Sequence, residues 1–149
     1  KKSNFLKCKN YLNSFCKSVF NFGDVTKASS AKLLSNFLSL LTTTSVIEFF
    51  KSAKKLNVDI KLLCEVAKLG SGNSGAFNRI AGKAIKGNYK GYVFSVDNTY
   101  KDLHYINDLV SDLPNANKLI KIAKSFYSDA SKKGYGNYLV SELIDKDKY

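Results

Sequence analysis

Along the first stretch of the chain, apolar residues recur at three- and four-residue steps. Phe5, Cys8, Leu12, Phe15, Cys16 and Val19 describe one amphipathic helix, because residues so spaced share a helical face. Ser18 to Phe22 then reads as short and β-like, and Gly23 punctuates it. Asp24 or Thr26 can accept from the free N–H groups of a following helix. The apolar pattern carries that helix to about Leu56. With roughly 30 residues and apolar side chains nearly all round, it belongs at the centre of a core or an interface.

Asn57-Val58-Asp59 stops the long helix, and Asp59 caps another that runs to Leu69. Gly70 to Gly75 is a turn, Ser74 caps a helix through Lys86, and Gly87 and Gly91 bracket a loop around Tyr89. Val96, Tyr100, Leu103, His104, Ile106, Leu109 and Val110 form a further helical face. Pro114 lacks the N–H that a first helical turn leaves unused, so it starts the next helix, which ends at Gly134. A last short helix covers Tyr138 to Ile144. The sum is an all-α, multi-helix domain with a long central helix, preceded by a short helix-strand segment.

At 149 residues, 44% of them hydrophobic, the chain can fill one core. Leu33 to Phe50 is its longest apolar stretch, but Ser35, Asn36, Ser39, Thr42, Ser45 and Glu48 interrupt it. A membrane span there would bury too many polar groups. No charged-then-apolar leader stands at the start, so the expectation is a soluble, cytoplasmic protein. Cys8, Cys16 and Cys64 are odd in number and lack Cys-x-x-Cys spacing, which suggests buried or half-buried thiols rather than disulfides or zinc. With His104 the single histidine, no metal site is expected.

A net charge of +12 raises nucleic acid or an anionic membrane as partners. Every basic residue except Arg79 is lysine, however, and the lysines are spread along the chain. Base and phosphate readout favours the forked guanidinium of arginine, so the lysines read as a solvated surface and argue against nucleic acid. The chain contains no methionine and begins Lys1-Lys2, which reads as a piece of a longer protein.

Three separated segments carry a resemblance. Gly23-Asp24-Val25-Thr26-Lys27-Ala28-Ser29-Ser30-Ala31-Lys32-Leu33-Leu34-Ser35-Asn36 looks like a glycine-led helix start followed by Lys-x-x-x-Asn. Leu69-Gly70-Ser71-Gly72-Asn73-Ser74-Gly75-Ala76-Phe77 is a Gly/Ser turn, and Phe94 to Leu103 ends in Lys101-Asp102-Leu103. In order and spacing these resemble the C-terminal helical domain of the β-hydroxyacid dehydrogenases, a family that includes 3-hydroxyisobutyrate dehydrogenases and glyoxylate or succinic semialdehyde reductases. The likeness implies residues 1–22 as the tail of an N-terminal nucleotide-binding domain and residues 23–149 as a helical catalytic and dimerisation domain. It also implies NAD or NADP as cofactor, bound mainly by the other domain, a short hydroxy acid or semialdehyde as substrate, and a homodimer or larger homo-oligomer.

The resemblance makes Lys32 the general acid/base and Asn36 a substrate-binding residue. Residues four apart project from one helix face, so the two reach one ligand. Oxidation of a hydroxy acid needs a base for its hydroxyl proton, and the reverse reaction returns it. Lysine, ordinarily near a pKa of about 10.4, serves better when burial penalises its charged form, and Leu33, Phe37 and the cofactor ring are the expected neighbours. Lys101 is carried over as a cofactor-cleft residue, Phe94 as packing with possible ligand contact, and Asp102 as the residue that orients Lys101 or ties down its helix.

Departures narrow the reading. Thr26 and Ala28 stand where the family has glycines. Ser35 lacks the histidine of the 6-phosphogluconate branch, and Lys32 argues against imine-reducing relatives. Gly70 to Gly75 spells Gly-x-Gly-x-x-Gly, yet it follows a helical segment rather than a strand, so it is not a dinucleotide fingerprint. The competing expectation is a non-catalytic helical module that binds an acidic partner or nucleic acid.

Overall fold

The computed structural model describes residues 2–146. Six α-helices lie among them: α1 (Lys2–Asn13), α2 (Val25–Lys55), α3 (Ile60–Leu69), α4 (Gly75–Ala84), α5 (Val96–Leu109) and α6 (Pro114–Ala130). A π turn at Ser131–Tyr135 and a 3-10 turn at Val140–Asp145 follow. The described residues form no strand, so the fold is all-α as the apolar spacing requires.

Side-chain caps set most of the starts. Asp24 accepts from Thr26 N at 2.7 Å and opens α2. Asp59 accepts from the amides of Lys61 and Leu62 to open α3, and Ser74 and Ser95 accept from Phe77 and Asn98 to open α4 and α5. Each cap satisfies an amide that the first helical turn leaves without an intrahelical partner.

The C-terminal half of α2 is the axis of the core. Leu40, Thr43, Val46, Ile47, Phe50 and Ala53 are buried at three- and four-residue steps, which puts them on one stripe facing α4, α5 and α6. Phe77 and Ile80 from α4, Leu103 and Ile106 from α5, and Ile120 and Tyr127 from α6 complete that core. Helix α2 is long and apolar enough to cross a membrane, but this stripe belongs to the packed centre of the domain.

The structure corrects several expectations. Residues 18–22 adopt no regular secondary structure. A lone segment has no neighbouring strand to receive its N–H and C=O groups, so no strand forms. Helix α1 stops at Asn13 rather than Val19, where the Ser14 hydroxyl donates to the Tyr11 carbonyl and competes with the helical ladder. Because α1 packs on little, Cys8 is exposed; only Cys64 is buried and Cys16 half-buried. The α4 helix ends at Ala84, before Lys86. At the far end Gly134, with φ 87°, ends the π turn in a conformation that a side chain disfavours. The last helix is a 3-10 turn that starts at Val140, held on one side by Val140 N donating to Phe94 O at 2.9 Å.

Candidate active site

An open cavity of about 400 Å³ lies between α2, α4, the 87–95 loop and α5. On the α2 wall stand Lys32, Asn36, Ser39 and Leu40. Steps of four, three and one residue keep them within one sector of the helix. Leu33 and Phe37 are partly buried against the hydrophobic core, and Lys32 itself is exposed. Within this chain Leu33 and Phe37 do not bury Lys32: one and five positions on, they sit about 100° and about 140° round the helix from it.

The opposite wall comes from the loop. Gly91, Tyr92, Val93 and Phe94 line it, and Asp102 on α5 closes one end. Several bonds fix this loop. Ser141 Oγ, buried, donates to Tyr89 O at 2.6 Å and accepts from Tyr92 N at 3.0 Å. The Tyr92 hydroxyl lies 2.8 Å from Ser39 Oγ and so ties loop to α2. At Gly91 an added Cβ would stand 2.5 Å from Arg79 O and 2.9 Å from Ile80 Cα, so only glycine lets the loop backbone approach α4 this closely.

Asn36 Nδ2 donates to Asp102 Oδ2 at 2.9 Å. This bond joins α2 to α5 across the cavity and fixes which way the Asn36 amide faces. An amide has two N–H donors and a carbonyl acceptor; one donor is committed to Asp102, and the carbonyl Oδ1 and second N–H remain for a ligand. Lys101 Nζ stands 3.9 Å from Asp102 Oδ1, with the Lys101 side chain 55% exposed and that of Asp102 14%.

Of the five residues given roles from the sequence, the structure thus brings Lys32, Asn36, Phe94 and Asp102 to one cavity. Lys101 is not among the residues that line it. Asp102 is the partner of Asn36. Sequence reasoning missed Ser39, Tyr92 and Arg79. Ser39 was findable as the next residue on the Lys32–Asn36 face; Tyr92 and Arg79 carried no local signal, since tertiary packing alone brings them there.

The nicotinamide end of a dinucleotide is compatible with this donor set. Leu40, Val93 and Phe94 offer an apolar wall, and Lys32 and Asn36 offer polar groups beside it. The pyrophosphate end is not: Gly70 to Gly75 joins α3 to α4, and the described residues include no strand-to-helix glycine turn of the kind that cradles phosphates.

The described residues thus form a helical domain that sets a lysine and an amide side by side on one wall of an open cavity. The family described as NAD-binding of NADP-dependent 3-hydroxyisobutyrate dehydrogenase matches residues 26–145, and the chain belongs to that family. An L-threonate dehydrogenase of Haemophilus influenzae is 25% identical over 134 residues, 89% of this chain and 44% of that protein. A cytokine-like nuclear factor N-PAC of Anopheles gambiae is 22% identical over 145 residues, 97% of this chain and 25% of that protein. The crystal structure of 3-hydroxyisobutyrate dehydrogenase from Salmonella typhimurium has the same fold, with a TM-score of 0.83 and 23% identity over 95% of this chain and 50% of that one. The chain therefore spans half or less of the length of these relatives.

Proposed function

We propose that this chain forms the proton-transfer and substrate-binding wall of an NAD(P)-dependent oxidoreductase that acts on short hydroxy acids or the matching semialdehydes. The observation that carries the reading is the joint placement of Lys32 and Asn36 on one cavity wall, with Asn36 oriented by Asp102. A bound nicotinamide supplies the hydride acceptor or donor. Lys32 Nζ, in its neutral form, takes the proton from the substrate hydroxyl as the carbonyl forms, and returns it in the reverse direction. Asn36 holds the same hydroxyl or a carboxylate oxygen through its free N–H and Oδ1.

In this reading residues 1–22 belong to a nucleotide-binding domain that supplies the phosphate cradle and covers Lys32, and the protein is cytoplasmic. Lys101 faces that domain from the rim of the cavity. Self-association through the helices belongs to the same reading: Leu62, Val66 and Leu69 recur along the outer face of α3 and are exposed, and sedimentation of the protein tests it. A non-catalytic module, with the nuclear factor as its relative, has no use for a lysine and a clamped amide in one cavity. The test is to supply the complete protein with short hydroxy acids and semialdehydes and both nicotinamide cofactors. Turnover of at least one such substrate supports the reading, and turnover of none contradicts it.

A further inference from the structure

The chain carries one arginine among its 24 basic residues, and that arginine lies at the cavity. Arg79 on α4 lines the cavity of Lys32 and Asn36, and it also lines a second one of about 370 Å³. The two share Ser39, Arg79 and Tyr92, so they are successive chambers of one groove with Arg79 where they meet. The second chamber has hydroxyls of Ser35, Thr42 and Ser74 in its walls and no acidic side chain.

The Arg79 guanidinium makes no ion pair or hydrogen bond among the described residues. Asp102 is the one carboxylate that lines either chamber, and its oxygens face Asn36 Nδ2 and Lys101 Nζ. The Arg79 backbone is held firmly, because its carbonyl packs against Gly91 in the loop opposite. An exposed forked cation on a helix that lines the same cavity as Lys32, without a carboxylate of its own, suits bidentate capture of a planar or tetrahedral anion.

We infer that Arg79 binds a second anionic group of the substrate, so that the preferred substrate is a hydroxy acid with a carboxylate or phosphate at the end away from the reacting hydroxyl. This rests on the dehydrogenase reading for the identity of the reacting group, but not for the anion site. Lys32 and Asn36 engage the hydroxyl in the first chamber, and the tail extends past Ser39 to the guanidinium. A monocarboxylate such as 3-hydroxypropionate reaches only the first chamber.

The test compares 3-hydroxypropionate, malate and 4-phosphoerythronate on the complete protein, wild type, Arg79→Gln and Arg79→Lys. Calorimetry gives the dissociation constants, and kcat/KM is measured beside them. The wild type binds malate or 4-phosphoerythronate at least about tenfold more tightly than 3-hydroxypropionate. Whichever of the two gains identifies carboxylate or phosphate as the tail. Arg79→Gln weakens that ligand by about 10- to 100-fold and changes 3-hydroxypropionate by less than about threefold, while Arg79→Lys keeps the charge without the fork and retains part of the gain.

Malate and 4-phosphoerythronate that bind no better than 3-hydroxypropionate, or an equal loss for all three ligands in Arg79→Gln, would overturn the assignment. Arg79-dependent binding of a dianion without turnover of any hydroxy acid would remove the dehydrogenase reading and leave the anion site standing.

Discussion

Asn36 commits one amide hydrogen to Asp102 across the cavity, and that bond decides what the rest of the amide can do. Without the carboxylate the amide is free to rotate and its carbonyl no longer has a fixed direction. Asp102→Ala should lower kcat/KM by about 10- to 100-fold, the weight of a hydrogen bond to a charged group, and the loss of this α2–α5 bond should lower the melting temperature by several degrees. Unaltered kinetics would show that the clamp is irrelevant to the site. Nothing in the sequence announced this pair, because its members stand 66 residues apart; Lys-x-x-x-Asn was legible only because a helix brings positions four apart together.

A second residue, Tyr127, is fully buried, and its hydroxyl lies 3.0 Å from Thr44 Oγ1. Burial pushes its phenol well above the ordinary tyrosine range. Since the folded value is raised, the stability it contributes is fully present below the unfolded pKa of about 10 and is lost as pH rises through and beyond it. Urea unfolding at about pH 8 and about pH 11 should therefore show a smaller alkaline loss for Tyr127→Phe than for the wild type. At the lower pH the variant costs about 1 kcal/mol, because Thr44 still donates to Leu40 O.

Among the elements, the loop from Gly87 to Ser95 places half the cavity wall, and Gly91 is where it meets α4. Gly91→Ala forces a methyl against Arg79 O and Ile80 Cα, backbone that cannot step aside, and should destabilise the protein by about 1–3 kcal/mol. Gly82→Ala is the control: a Cβ there meets nothing within 4 Å, and in the interior of α4 it should stabilise by about 0.5–1 kcal/mol. Denaturant midpoints of the two variants must move in opposite directions. Helix starts at α2, α3 and α4 were readable because Asp24, Asp59 and Ser74 cap them from within a few residues. The end of α1 was not, since its apolar residues suggested a face that little in the described structure covers.

For the whole molecule, one cavity wall without a phosphate cradle has a direct consequence. Residues 1–149 in isolation should bind NAD or NADP weakly and transfer no hydride, because helix N-termini and glycine turns that hold a pyrophosphate sit at strand ends and the described residues form no strand. Fluorescence titration of the isolated chain checks this; tight nucleotide binding would contradict it. The helical architecture was legible from apolar spacing alone. The groove was not, because Ser39, Arg79 and Tyr92 meet only after α2, α4 and the loop have packed.

The measurement that bears most directly on the role of Lys32 is kcat/KM of the Lys32→Ala variant of the complete protein, on the substrate that the wild type prefers. With cofactor affinity unchanged, removal of the general acid/base should lower kcat/KM by about 10²- to 10⁴-fold. Full activity in Lys32→Ala would show that the proton moves by another route.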